Sequence, residues 1–506
     1  MNKYVVPAAG KIMFGLLGAV SAASAAADTS PLNSRLVLGI DASGIMGTYK
    51  ADGPLNKSSA FFRSLGTNGR SCGTCHIASQ AMSFTPAHAQ QLYEQTHGSD
   101  PLFADTDGAN CTGVAPKDRA GHSLLLKSGL IRIATPVPAG AEFSISVVHD
   151  PYGCALRVDP NTHVLTASVY RRPLPAANLS FLSAVMFDGR ETIAPLTDAA
   201  TFDANLRADL THQALDATMG HAQASKAPTD AQLSAIVDFE LGVYSGQLWD
   251  NRSGMLTDGA AGGPMNLAEQ LYYPGINDTL GGDPNGIPFT PLSMTLYASW
   301  QPAANSRRAD DRFGNFFADS RRGAARAEIA AGEKLFTSAP MTISNVRGLN
   351  DNAALKNPTA FAGTCATCHD APNVGNHSMP LPLDIGVSHS PNLNYETDLN
   401  IAAAVRELSG PDLPVFIISG CPNPFNKGQK ASFYTSDPGK ALISGHCADL
   451  NRVKGPILRG LAARAPYFHN GAAADLNELV NFYNQRFQMA LSEKQKGELV
   501  AFLNSL

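Results

Sequence analysis

The chain has 506 residues, 44% of them hydrophobic and 16% charged, so it carries apolar material for real cores and is not a disordered polypeptide; at usual domain sizes this length suggests roughly two to four domains. Lys plus Arg number 38 against 43 Asp plus Glu, a net charge of −5, and no basic run of the kind that tracks phosphates occurs, which sets nucleic-acid binding aside. The 45 Gly and 33 Pro announce many irregular connections.

Residues 1–27 read as a removable export signal: Lys3 and Lys11 flank a short apolar stretch, Ile12 to Val20, and Ala23-Ser24-Ala25 or Ala25-Ala26-Ala27 offers a small-residue cleavage site. A membrane anchor is the other reading, but the apolar run falls short of the ~20 residues that span a bilayer. The expectation is a periplasmic protein with no membrane segment once the signal is removed. Residues 58–90 read as a short helix around Ala60, Phe61, Phe62 and Leu65, followed by a turn holding Cys72-Gly73-Thr74-Cys75-His76. Between 124 and 170 the text changes: Phe143, Ile145 and Val147 alternate, and Val164 to Tyr170 is β-branched and aromatic, so a small β insertion is predicted. Thr229 and Gln232 form a capping box for a helix over 229–244 with Leu233, Ile236, Val237 and Leu241 on one face. Residues 250–292 are rich in Gly and Pro and read as a long connection. A second helical half begins near Arg321 and leads through Gly332-Glu333-Lys334-Leu335-Phe336 towards Cys365-Ala366-Thr367-Cys368-His369. Near the C-terminus, Asp475 with Glu478 and Ser492 with Gln495 cap two helices, the first turning Leu476, Leu479, Val480, Tyr483 and Phe487 inwards.

Four of the eight Cys fall in two C-x-x-C-H patterns, the signature of covalent c-type haem attachment. Two thiols add to the vinyl groups of one porphyrin, and the next residue's imidazole reaches its iron. A zinc knuckle would want four ligands per site, and a thioredoxin-like pair has no need of the His. Two covalently bound haem c groups are therefore expected, on Cys72, Cys75 and His76 and on Cys365, Cys368 and His369. The remaining Cys suit an oxidising compartment; four allow three pairings, and chain order suggests Cys111–Cys154 and Cys421–Cys447. The predicted fold class is mainly α: two cytochrome c-like haem domains, 28–250 and 321–506, joined by a linker or insertion over 251–320, with long loops and the β insertion (about 124–170) in the N-terminal half.

Phe187-Asp188-Gly189-Arg190, Gln213-Ala214, Asp437-Pro438-Gly439, Leu458-Arg459-Gly460 and Ala465-Pro466-Tyr467-Phe468-His469-Asn470-Gly471 occur in the order found in bacterial dihaem cytochrome c peroxidases, and the chain resembles that family and its wider MauG superfamily. The resemblance covers both haem regions and the last 70 residues, but not 100–170 or 245–320, where this chain is longer. It implies a peroxide-reacting haem with proximal His76 and an electron-relaying haem with proximal His369. The relay haem's distal ligand falls on Tyr483, with Met489 as the other candidate. The family's Trp between the haems falls on Phe187. Its distal acid falls on Gln223, two residues after His221.

Peroxide cleavage needs a group that takes a proton from one oxygen and gives it to the other. A Gln cannot do this and a His can, so His221 is the candidate acid–base or, alternatively, a distal iron ligand; Gln213 and Gln223 complete the candidate catalytic set. Met82, His88 and His97 could cap the first iron at rest, and Arg190 and Arg459 could hold propionates. The family's calcium site keeps Pro466 and loses its Asn, so calcium is left open. The expected activity is reduction of hydrogen peroxide with electrons from a small periplasmic cytochrome c or copper protein. The alternatives are a non-catalytic dihaem electron carrier, or MauG-like or oxygenase-type oxidation of another substrate.

Overall fold

Leu36–Ile40 turns back through Asp41–Ser43 into the strand Gly44–Lys50. The Asp41 carboxylate ties this turn, accepting the backbone N–H groups of Ser43 at 2.8 Å and Gly44 at 2.9 Å. Val243–Asp250 lies antiparallel beside Gly44–Lys50, with Gly47 opposite Gly246, and Gly254–Met255 completes a four-stranded sheet. The computed structural model describes residues 34–159, 162–301, 316–389, 405, 407, 409–423 and 432–506, with 316–320 as backbone alone. The expected export signal lies outside them.

The predicted β segment is present as Ile131–Pro136, Ser144–His149, Leu156–Val158 and Leu165–Arg171, after a short helix Ser123–Ser128. It does not close on itself. Ser144–His149 pairs with Val415–Ser419, which pairs with Phe433–Thr435, while the other three strands form their own sheet. Phe143, Ala167 and Val169 from the N-terminal half share a core with Phe416, Ile418 and Phe433 from the C-terminal half. Both expected disulfides form, Cys111–Cys154 and Cys421–Cys447, the second with both cysteines inside this core.

The helices follow their local signals. Thr229 and Gln232 cap Asp230–Leu241 reciprocally, and Ser492 and Gln495 do the same for Glu493–Asn504. The Asp475 carboxylate accepts the N–H groups of Asn477 and Glu478 at the start of Leu476–Arg486. Phe316–Ser338 packs on Glu493–Asn504 at Gly332, where an added Cβ would lie 2.0 Å from the Glu498 carbonyl oxygen, so only glycine permits this approach. Ile329, Ala330 and Phe336 then meet Leu499, Phe502 and Leu503 in one core. A helix not read from the sequence, Phe202–Gly220, presents Phe202, Leu206, Leu210 and Ala214 along one buried stripe. The predicted helix around Ala60 is only a single 3₁₀ turn, Ala60–Phe62.

The structure is 31% helical, with twelve strands in four sheets among the described residues, so the expectation of a mainly α protein is corrected. The strands that change the class are short, and some pair across long stretches of chain, as Gly44–Lys50 does with Val243–Asp250 and Ser144–His149 with Val415–Ser419. Their hydrogen-bonding partners are set by tertiary packing rather than by local periodicity.

Candidate functional site

The two C-x-x-C-H segments fold alike. Cys72–Thr74 and Cys365–Thr367 are each a single 3₁₀ turn. The Thr74 hydroxyl accepts the Ser71 N–H at 3.0 Å, and the Thr367 hydroxyl accepts the Thr364 N–H at 2.9 Å. His76 Nδ1 lies 2.9 Å from the Met82 carbonyl oxygen and His369 Nδ1 lies 2.8 Å from that of Gly375. A carbonyl only accepts, so Nδ1 carries the hydrogen on both rings and Nε2 keeps a free lone pair. Burial lowers the pKa of His76 and pushes that of His369 down to about 4, so both imidazoles are held neutral, the form that binds a metal. Burial also pushes the Cys72, Cys75 and Cys365 thiols up to about 12. None of the four motif cysteines forms a disulfide.

Each turn opens into its own cavity, about 180 Å³ around His76 and about 190 Å³ around His369. Pro173, Leu174, Pro175, Lys454 and Pro456 line both, so the two cavities share a wall. Their chemistry differs. The first is lined by His221 and Asp107, with Arg70, Gln213 and Glu240. His221 Nδ1 donates to Asp107 Oδ2, and Arg70 Nη1 donates to Asp107 Oδ1. Burial opposes ionisation of Asp107, but His221 and Arg70 outweigh it and hold its carboxyl below the ordinary value. Glu240 is fully enclosed, and burial pushes its carboxyl up to about 8; its Oε2 has no partner among the described residues.

The second cavity contains no Asp or Glu among its described lining residues, yet Arg172, Lys454 and Arg464 line it. Among the described residues the hydrogen bonds of Arg172 and Arg464 go to backbone carbonyls, such as Gly129 at 2.9 Å and Arg459 at 2.8 Å. Burial pulls Lys454 down to about 8 and Arg464 to about 10, and burial together with Arg464 pulls Arg172 to about 9. Tyr483 and Met489 line the same cavity, the Tyr483 ring stacked on Phe487 at 5.8 Å. Phe187 is there too, its ring 5.9 Å from that of His469.

No family model matches the chain. Curated relatives do. Cytochrome-c peroxidase IdrP2 of Denitromonas iodatirespirans is 31% identical over 154 residues, 28% of this chain and 36% of that protein. Cytochrome-c peroxidase IdrP2 of Pseudomonas sp. (strain SCT) is 29% identical over 153 residues, 28% of this chain and 35% of that protein. The chain is a relative of the cytochrome c peroxidases. The match spans about a third of the length of these relatives. A cytochrome c peroxidase relationship implies haem, and the residues present fit it. Each cavity of this peroxidase relative brings two unpaired thiols and a neutral imidazole with a free Nε2 to an apolar wall. Arg172, Lys454 and Arg464, which have no carboxylate partner among the described residues, suit the propionates of a porphyrin.

In this peroxidase relative, Gln213 and His221 sit with Cys72, Cys75 and His76, and Tyr483 sits with Cys365, Cys368 and His369. Gln223 does not join them. It lies exposed, its carbonyl accepting the Thr67 hydroxyl at 2.7 Å. The Met82 side chain is in the core, while His88 and His97 belong to the helix Pro86–Thr96 and its end, away from the cavity lining. Arg190 is paired with Asp188 at 3.1 Å, and Arg459 donates to the carbonyls of Leu506, Asn373 and Gly263; neither lines either of these two cavities. The sequence reading did not single out Asp107, Glu240 or Lys454. For Glu240 a signal existed, since it follows Ile236 by one helical turn on the buried face of Asp230–Leu241.

Proposed function

We propose that the protein is an exported dihaem c-type peroxidase that reduces hydrogen peroxide at the haem held by Cys72, Cys75 and His76, with electrons relayed by a second haem on Cys365, Cys368 and His369. The observation that carries this reading is the asymmetry of the two cavities: a hydrogen-bonded His–Asp pair lines the first, and among the described residues no carboxylate lines the second. When bound, the haem irons would supply electron transfer and an open coordination position. The chain's own task is to move protons. Each hydrogen peroxide takes two electrons and two protons to give two waters. His221 Nε2 takes the proton from one peroxide oxygen and returns it to the other, which leaves as water. Gln213 can orient the substrate but cannot carry the proton.

The shared wall of Pro173–Pro175, Lys454 and Pro456 puts the two halves of the reaction next to each other. Phe187 replaces an oxidisable aromatic at the second cavity, so electrons would cross without a protein radical as a stepping stone. The export pattern of residues 1–27 and the two disulfides support a periplasmic location, where a small cytochrome c or copper protein would be the donor. Low-temperature EPR of the oxidised and half-reduced holoprotein, with a parallel peroxide titration, tests the assignment. A high-spin ferric signal consumed by peroxide and lost in His76→Ala, beside a low-spin signal lost in His369→Ala, is expected. Two low-spin signals inert to peroxide in both states would leave a carrier.

A further inference from the structure

His221 is not held by its own helix alone. It follows the last residue of Phe202–Gly220, where its N–H donates to the Ala217 carbonyl at 2.9 Å, and its further hydrogen bonds go to the segment between residues 68 and 107. Asn68 Nδ2 donates to the His221 carbonyl at 2.8 Å, and Arg70 Nη1 reaches the same oxygen at 3.3 Å. On the other side the ring's Nδ1 donates to Asp107 Oδ2. Asp107 is buried and is itself anchored, its second oxygen taking Arg70 Nη1 and its backbone carbonyl accepting the Arg132 N–H at 2.9 Å. Arg70 is fully engaged as well, donating through Nε to Pro101 O at 2.7 Å and through Nη2 to Leu102 O at 2.9 Å. Asp107 lies four residues before Cys111, whose disulfide to Cys154 ties this loop to the β segment. It belongs to the stretch where the chain is longer than a compact peroxidase. A loop with no other evident role at the cavity thus delivers a carboxylate to it.

Three consequences follow from elementary chemistry. With Nδ1–H committed to a carboxylate, His221 must present Nε2 as its proton acceptor. An anionic partner stabilises the imidazolium that forms when Nε2 takes a proton. The ring is also 40% exposed while Asp107 is buried, so His221 joins the cavity to solvent and can exchange protons with it. We propose that Asp107, braced by Arg70, is a positioning residue that sets the tautomer and orientation of His221. In this way it restores, from an inserted loop, the carboxylate that Gln223 no longer supplies. The inference rests on the reading of His221 as the acid–base group. The other charged or titratable groups around this ring are Arg63, Arg70, His76, Glu240 and Lys454, which line the same cavity and are unchanged in the variants below.

Association of cyanide with the oxidised holoprotein, followed optically across pH, tests the inference without using peroxidase turnover, because hydrogen cyanide must surrender its proton as it binds; peroxide association is measured in parallel. His221→Gln is expected to slow both by about 100-fold or more, and Asp107→Asn by about 10- to 100-fold. The acid limb of the Asp107→Asn profile should move to lower pH, because losing the anion disfavours the imidazolium, and Asp107→Glu should recover most of the rate. Wild-type rates and an unmoved profile in Asp107→Asn, with His221→Gln slow, overturn the inference and leave the His221 reading intact. Wild-type rates in His221→Gln overturn that reading and this inference together. Should Asp107→Asn fail to bind two haems, proton NMR of the reduced carbon monoxide adduct decides. A far-downfield exchangeable proton present in the wild type and missing in His221→Gln supports the pair, and its absence from the wild type refutes it.

Discussion

The Arg171 guanidinium grips both carboxylate oxygens of Asp437, Nε at 2.6 Å and Nη2 at 2.9 Å, while its remaining nitrogen holds Asp188 at 2.5 Å. All three side chains are buried. Asp188 and Asp437 lie in two of the motifs on which the family resemblance rests, and Asp437 Oδ2 also stands 3.4 Å from His469 Nε2 in a third. One arginine at the end of a strand thus gathers three separated motifs beside the second cavity. Removing a partner from a buried pair strands the charge that remains, at a cost of roughly 3–5 kcal/mol. Arg171→Leu, which strands two, should lower the unfolding free energy by at least that amount in denaturant titrations, whereas Arg207→Leu at an exposed pair should cost about 1 kcal/mol or less.

The same network sets an acid limit. Burial opposes ionisation of Asp188, but Arg171 and Arg190 outweigh it and hold the carboxyl at about 2. The unfolded chain has an ordinary aspartate near 3.9. A depressed carboxyl contributes stability that is fully present above the unfolded value and is lost as pH falls through the folded one. The wild type should therefore lose on the order of 2 kcal/mol between about pH 4 and pH 2 from this group. Asp188→Asn, less stable at pH 7, should lack that part of the slope when unfolding is followed against pH.

How much of this was legible in the chain depended on how local the signal was. The C-x-x-C-H turns were readable because their spacing is the attachment chemistry, and the Thr229/Gln232 and Ser492/Gln495 boxes because a cap is decided within four residues. Leu36–Ile40 and Gly44–Lys50 were not read, because their apolar residues run together (Leu36 to Leu38, Ile45 and Met46) instead of alternating, and a short hairpin gains its place only when Val243–Asp250 arrives beside it. Asp107 was invisible for a stronger reason. It stands among Gly108, Asn110 and Gly113, in text that reads as a turn, and its partner His221 is 114 residues away. A polar residue whose role depends on a distant ring leaves no periodic trace.

Glu240 provides a pH test of opposite sign. Burial pushes its carboxyl up to about 8, and its Oε2 has no partner among the described residues. A raised carboxyl favours the folded state below the unfolded value, near 4.3, and loses that advantage as pH climbs towards the folded value. Glu240→Gln keeps the shape without the proton to lose. It should match the wild type near pH 4 and exceed it by on the order of 4 kcal/mol near pH 8, read from denaturant midpoints at the two pH values. Equal pH slopes in the two proteins would show that the carboxyl titrates alike in the folded and unfolded states and is not raised by burial.

The second cavity turns on Tyr483 and Met489. Burial, and then the neighbouring Cys368 and Cys365 thiols, raise the Tyr483 pKa, so by itself the phenol stays protonated. A ferric ion beside the oxygen would reverse that preference, since a bound cation is the largest local charge in such a site. An anionic oxygen ligand in turn stabilises oxidised iron. Tyr483→Phe should therefore change the low-spin EPR signal assigned to the His369 haem and raise its midpoint potential, leaving the peroxide-reactive signal as it was. Met489→Leu should alter neither. The reverse pattern would make Met489 the ligand, and with a neutral thioether in place of an anion the second haem would sit at the higher potential suited to accepting electrons from a cytochrome donor rather than oxidising another molecule.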